Sequence, residues 1–140
     1  MRRLFNVVLV LGLVLTALPA TAQDKLKIVA SFSILGDMVR QVTGELASVT
    51  TIVGPDADAH VYMPNASDAM AVANADVIFL NGLGFETWSD TLIKTSGTKA
   101  EVFLATTGIS PLKVEGEIDP HAWNALTNGV IYVTNIADGL

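Results

Sequence analysis

Two histidines, His60 and His121, are the residues of this chain best suited to site chemistry, and there is no cysteine. Neutral imidazole is the commonest protein ligand for transition metals, and zinc and manganese sites combine it with carboxylate oxygens. Each histidine follows an aspartate by two residues, in Asp58-Ala59-His60 and in Asp119-Pro120-His121. A carboxylate so near can orient an imidazole by hydrogen bonding and deepen the local negative potential. Pro120 stiffens the second loop and lowers the entropy cost of ordering it. The same residues also have a plain reading. Lone histidines are common in polar loops, Asp-Pro is an ordinary turn opener, and Trp123 suits packing. With the two histidines 61 positions apart, spacing alone leaves both readings open.

Other chemistries are poorly supplied. The absence of cysteine excludes disulfides and zinc–thiolate sites. No G-x-S-x-G nucleophile motif and no H-E-x-x-H motif occurs. Asn81-Gly82-Leu83-Gly84 is too short for a dinucleotide fingerprint and reads as a strand-to-helix turn.

The chain has 140 residues, about one domain. Met1-Arg2-Arg3 is a basic start, and Leu4 to Leu18 is apolar except for Asn6, Gly12 and Thr16. Ala20-Thr21-Ala22 then offers small residues, so residues 1–22 read as a cleavable secretory signal. The apolar run is shorter than the ~20 residues of a spanning helix. From residue 23 onward six basic residues face fourteen acidic ones, a formal charge of −8. That balance argues against nucleic acid, whose phosphates need a basic surface, and suits cation binding. A lipid anchor requires a cysteine, so the expectation is a monomer free in the periplasm of a double-membraned bacterium.

The pattern that must position the histidines alternates strand and helix. Leu26–Ala30, Val49–Val53, Asp76–Leu80 and Glu101–Leu104 read as strands, the third buried on both faces. Helices are expected over Ile34–Val42, with Ser33 as cap and Gly44 as stop, and from an Asn65 cap paired with Asp68 to Asn74. Phe85–Lys94 is helical in pattern, with Phe85, Trp88 and Leu92 on one side. After an irregular connection through Gly108, Pro111, Gly116 and Pro120, a helical pattern begins near Asn124 and still runs at Leu140, as in a chain cut short. This alternation implies an α/β fold, a parallel sheet flanked by helices, wound right-handed. Ligands of such sheets bind beyond the C-terminal ends of the strands. His60 follows the second strand and His121 the fourth, so both fall on that rim.

Four segments in order resemble one family: "VASFSILGDMV", "VGPDADAHVYMPNASDA", "ADVIFLNGLGFE" and "DPHAWN" with "NGVIYVTNIADGL". The chain resembles the zinc- and manganese-binding solute receptors of ABC importers from about Lys27 to Leu140. The resemblance implies two α/β lobes joined by a stiff helix, with metal held in the cleft between them. It makes residues 23–124 the N-terminal lobe and residues 125–140 the start of the inter-lobe helix. It makes His60 and His121 metal ligands, with a histidine or glutamate and an aspartate supplied by a C-terminal lobe that this chain lacks. The ligand it implies is Zn2+ or Mn2+ as cargo, and the partner a membrane permease, without catalysis. Ala59 departs from the family's usual proline and Met63 from a common acidic residue. The connection before His121 lacks the histidine-rich insert frequent in zinc members, which does not separate zinc from manganese. The rival readings are a metal-dependent hydrolase using the same histidines with an activated water, and a surface adhesin-like protein.

Overall fold

Short apolar strands rich in β-branched residues bury both faces only when helices cover the sheet on each side. The computed structural model describes residues 24–140, so the signal assigned to residues 1–22 lies outside the described residues. Strand β1 (Leu26–Phe32) leads into helix α1 (Ser33–Thr43), and β2 (Ala47–Val53) precedes α2 (Ala66–Ala73). Then come β3 (Val77–Leu80), α3 (Ser89–Ser96), β4 (Glu101–Leu104) and the two-residue strands β5 (Lys113–Val114) and β6 (Glu117–Ile118). Helix α4 (Leu126–Asp138) follows.

The four long strands form one parallel sheet in the order β2-β1-β3-β4. The chain first steps from β1 to β2, then reverses past β1 to β3 and on to β4. Right-handed crossovers in opposite directions put α1 on one face and α2 and α3 on the other. The packing agrees: α1 lies against α4, and α2 against α3. The central strands are the driest, with Ile28, Ala30, Ile78 and Phe79 all buried, as the continuous apolar run of β3 requires. At the edge, a Cβ on Gly36 would stand 2.4 Å from Thr51 Oγ1, so glycine is what lets α1 approach β2.

The Asn65 cap is complete. Its Oδ1 accepts from the Ser67 N–H at 2.8 Å and, more weakly, from the Asp68 N–H at 3.4 Å, while Asp68 Oδ2 accepts the Asn65 N–H at 2.8 Å. Gly44 ends α1 with φ of +54°, its N–H bonded to the Arg40 carbonyl. Other boundaries moved. Ser33 is the first residue inside α1 and caps nothing, because β1 runs on to Phe32, whose buried ring packs on Phe85 and Trp123. Strand β2 starts two residues earlier than expected, at Ala47. Helix α3 starts at Ser89 instead of Phe85, because Gly82, Leu83 and Gly84 all take positive φ, between +57° and +86°. The helical pattern expected from Asn124 is first a single 3-10 turn over Ala122–Asn124, and α4 begins at Leu126. The irregular connection contains the β5–β6 hairpin, turned by Glu115 and Gly116 at φ of +52° and +92°.

Because α2 opens directly after the loop carrying His60, its cap has a measurable role. Asn65→Ala is expected to lower unfolding free energy by about 1 kcal/mol, read as a shift in urea midpoint at unchanged slope.

Candidate metal-binding site

Both histidine loops leave the C-terminal edge of the sheet, and the fold brings them together. His60 Nε2 and His121 Nε2 are 3.0 Å apart. The pair stands at the surface, His60 exposed and His121 partly so. Beneath it lies Phe85, whose ring meets His60 edge-on at 4.7 Å between centroids and His121 at 5.8 Å. Trp123 packs on Phe32, Phe85 and His121, which confirms its packing role. A shallow cavity of about 230 Å3 opens here, lined by both histidines, Phe85 and Trp123. A larger cavity of about 650 Å3 lies toward the N-terminal ends of β1 and β2, around Lys27, Ser48 and Met70, and holds neither histidine.

The repeated Asp-x-His spacing has a local cause. In each loop the aspartate side chain accepts the backbone N–H of the histidine two residues on, an Asx turn. Asp58 Oδ1 takes the His60 N–H at 2.9 Å, and Asp119 Oδ1 takes the His121 N–H at 3.0 Å. The peptide that donates this N–H is held at its carbonyl end as well. The Trp88 indole N–H donates to the Ala59 carbonyl at 2.8 Å, and the Asn81 amide donates to the Pro120 carbonyl at 3.0 Å. Since the peptide unit is planar, fixing both its ends fixes where each histidine begins.

The two rings differ in support. Asp119 Oδ1 also lies 2.7 Å from His121 Nδ1, whereas Asp58 holds only the backbone of His60. The His121 backbone N–H, and then its ring N–H, hold the Asp119 carboxyl below the ordinary carboxylate range. An ionised Asp119 accepts the proton at Nδ1 and leaves the His121 Nε2 lone pair facing His60. With both rings neutral, His60 Nε2–H is then the donor across the 3.0 Å contact.

Under the site is a buried polar network centred on Glu86. Glu86 Oε1 accepts the Ser31 hydroxyl and the Asn81 N–H at 2.6 Å, and Oε2 accepts the Gly82 N–H at 3.1 Å. Asn81, fully buried, accepts the Tyr132 hydroxyl at its Oδ1. Burial, with the Glu86 charge second, pushes the Tyr132 phenol well above its ordinary value. Asn81, Phe85, Glu86 and Trp88 were not singled out by sequence as site residues. Their only local signal is a glutamate and an asparagine set among apolar residues between a buried strand and a helix. Among the described residues, no group of three or more histidine, cysteine, aspartate or glutamate side chains is placed to hold a metal ion.

The parallel sheet flanked by helices resembles the fold of periplasmic metal-binding proteins. Residues 28–140 match the ZnuA family model, zinc-uptake complex component A periplasmic, and the chain belongs to that family. The manganese-binding lipoprotein MntA of Halalkalibacterium halodurans is 43% identical over 118 residues, covering 84% of this chain and 39% of that protein. The iron ABC transporter substrate-binding lipoprotein MtsA of Streptococcus pyogenes serotype M1 is 38% identical over 136 residues, 89% of this chain and 44% of its own length. The structure of an Mn-bound periplasmic metal binding protein from Candidatus Liberibacter asiaticus superposes with a TM-score of 0.75 at 36% identity. That match covers 82% of this chain and 44% of the other. The chain thus spans about two fifths of the length of the curated relatives it matches.

Two expectations follow. Trp88→Phe keeps an aromatic ring but removes the donor to the buried Ala59 carbonyl, and is expected to cost about 1–3 kcal/mol in urea unfolding. For Tyr132 the folded-state value lies above the unfolded value of 10.0, so the unfolded chain loses its proton first as pH rises. Stability from this group is complete below pH 10 and declines above it. Tyr132→Phe should flatten that alkaline decline in a series of urea titrations from pH 8 to 11.

Proposed function

We propose that this chain is the N-terminal lobe of an exported receptor that captures a divalent transition metal and delivers it to an ABC importer. His60 and His121 are the ligands it contributes. The observation behind this reading is the pair of Nε2 atoms 3.0 Å apart on an exposed rim. Nitrogens at that separation can both stand about 2.1 Å from one ion, the usual distance for a metal–imidazole bond. Capture requires His60 to give up its Nε2 proton, so that both lone pairs face the ion. His121 needs no such change, because Asp119 already holds its proton at Nδ1.

Manganese, zinc and iron are the candidate cargoes. The family model is described by zinc uptake, and the relatives by manganese and iron. Two imidazoles make half of a four-ligand zinc site. The remaining ligands are assigned to a second lobe of a longer protein, in keeping with the share of its relatives that this chain spans. Residues 23–124 form the lobe in this reading, and residues 125–140, which include α4, begin the helix toward its partner. The exposed apolar side chains Leu126 and Val130 on α4 suit further packing. Export by a cleavable signal at residues 1–22 and a periplasmic location complete the proposal. MntA and MtsA are lipoproteins by name, and this sequence contains no cysteine.

The role is capture without catalysis. A receptor saturates its cargo with protein ligands, whereas a catalytic metal keeps an open position for water. Mn2+ and Zn2+ titrations of the metal-free chain, competed against a chelating dye, test the reading. His60→Ala and His121→Ala are each expected to weaken binding at least about tenfold. The 140-residue chain is expected to bind more weakly than a protein that includes the second lobe. Binding unaffected by either substitution would refute the assignment.

A further inference from the structure

Asn81 makes more directed contacts than a turn residue needs, and one of them reaches the peptide that carries His121. It is fully buried directly after β3, 39 residues from Pro120 in sequence. Its backbone N–H donates to Glu86, and its carbonyl accepts the Thr106 hydroxyl. Its side-chain oxygen accepts the Tyr132 hydroxyl from α4. Its amide nitrogen has two protons, and both are used, on the Gly82 carbonyl at 3.1 Å and the Pro120 carbonyl at 3.0 Å. An inverted amide would set Oδ1 against those two carbonyl oxygens, so the orientation is determined. The far end of the Pro120–His121 peptide donates to Asp119 Oδ1, the same oxygen that meets the His121 ring. A shift of the Pro120 carbonyl therefore rotates a rigid peptide plane and displaces the imidazole.

We propose that Asn81 is a positioning residue for His121. It touches no metal and acts through the Pro120 carbonyl, with Tyr132 securing its side chain from the opposite side. The consequence for metal affinity rests on the function proposed above, but the placement of the ring does not. Asn81→Leu keeps the branched shape and removes the two donors, together with the oxygen that accepts the Tyr132 hydroxyl.

The first test needs no metal. The chain has only two histidines, so imidazole 1H–15N spectra of the metal-free protein resolve the rings, assigned with His60→Ala and His121→Ala. In Asn81→Leu, the His121 Nδ1–H resonance is expected to shift or be lost to exchange, at a temperature where circular dichroism shows the protein folded. Should Asn81→Leu not fold, Tyr132→Phe takes its place and should move the same resonance less. A His121 resonance that stays in place in the folded variant overturns the proposal. The second test is a double-mutant cycle with Mn2+ and Zn2+. Asn81→Leu should weaken binding about tenfold in the native background and less than about twofold with His121→Ala already present. Equal losses in both backgrounds would make Asn81 merely structural and overturn the proposal. A native protein that binds neither ion, with the His121 resonance still displaced in Asn81→Leu, would overturn the metal-receptor reading and leave the positioning role standing.

Discussion

The peptide plane immediately before each histidine is pinned at both ends, and the rim depends on that constraint. Its N–H is taken by the aspartate two residues back, and its carbonyl by a buried donor, Trp88 for the first loop and Asn81 for the second. Both donors come from the connection between β3 and α3, as does Phe85, the ring under both imidazoles. One eight-residue stretch, from Asn81 to Trp88, therefore serves two loops that are remote in sequence. Its irregular backbone follows from this duty. Three consecutive positive-φ residues turn the chain tightly enough for Glu86 to fold back and accept the N–H groups of Asn81 and Gly82.

The burial of Glu86 is acceptable because its acceptors are met. A carboxylate withdrawn from water needs several hydrogen bonds to replace its hydration, and Ser31, Asn81 and Gly82 provide them. The same network ties three elements of the lobe. Ser31 belongs to β1, Asn81 directly follows β3, and Tyr132 lies in α4. Among the described residues no buried side-chain nitrogen or oxygen lacks a partner, as a polar network in a dry interior demands. The two histidines stand at its upper edge, where water still reaches them.

The histidines are unequal partners despite their matching motifs. Asp119 binds both the backbone and the ring of His121, whereas Asp58 binds only the backbone of His60. The His121 ring is thereby held at Nδ1, whereas the Nδ1 of His60 has no such carboxylate partner in its own loop. Pro120 adds stiffness to the loop that is already better held. Ala59 stands where the second loop has Pro120, and the Trp88 indole holds its carbonyl as Asn81 holds that of Pro120.

Periodicity by itself determined the layered α/β fold, the parallel sheet, the complete Asn65 cap and the rim on which both histidines fall. These features were legible because they rest on local rules: apolar runs for strands, helical spacing for helices, and side chains that cap their own neighbours. The spacing Asp-x-His suggested a carboxylate that orients the imidazole; the structure shows that contact for Asp119 alone and a backbone Asx turn in both loops. Spacing alone did not bring His60 to His121, which only the family resemblance implied, and the work of Asn81, Phe85, Glu86 and Trp88 had no long-range signal in the sequence. Trp88 reads as one face of a helix, yet it precedes α3 and reaches 29 residues back to a carbonyl. Asn81 reads as a turn former, yet its amide reaches a peptide in another loop. Hydrogen bonds between distant segments leave no period in the chain. They exist only once the sheet order β2-β1-β3-β4 has carried the ends of β1, β2, β3 and β4 to one edge.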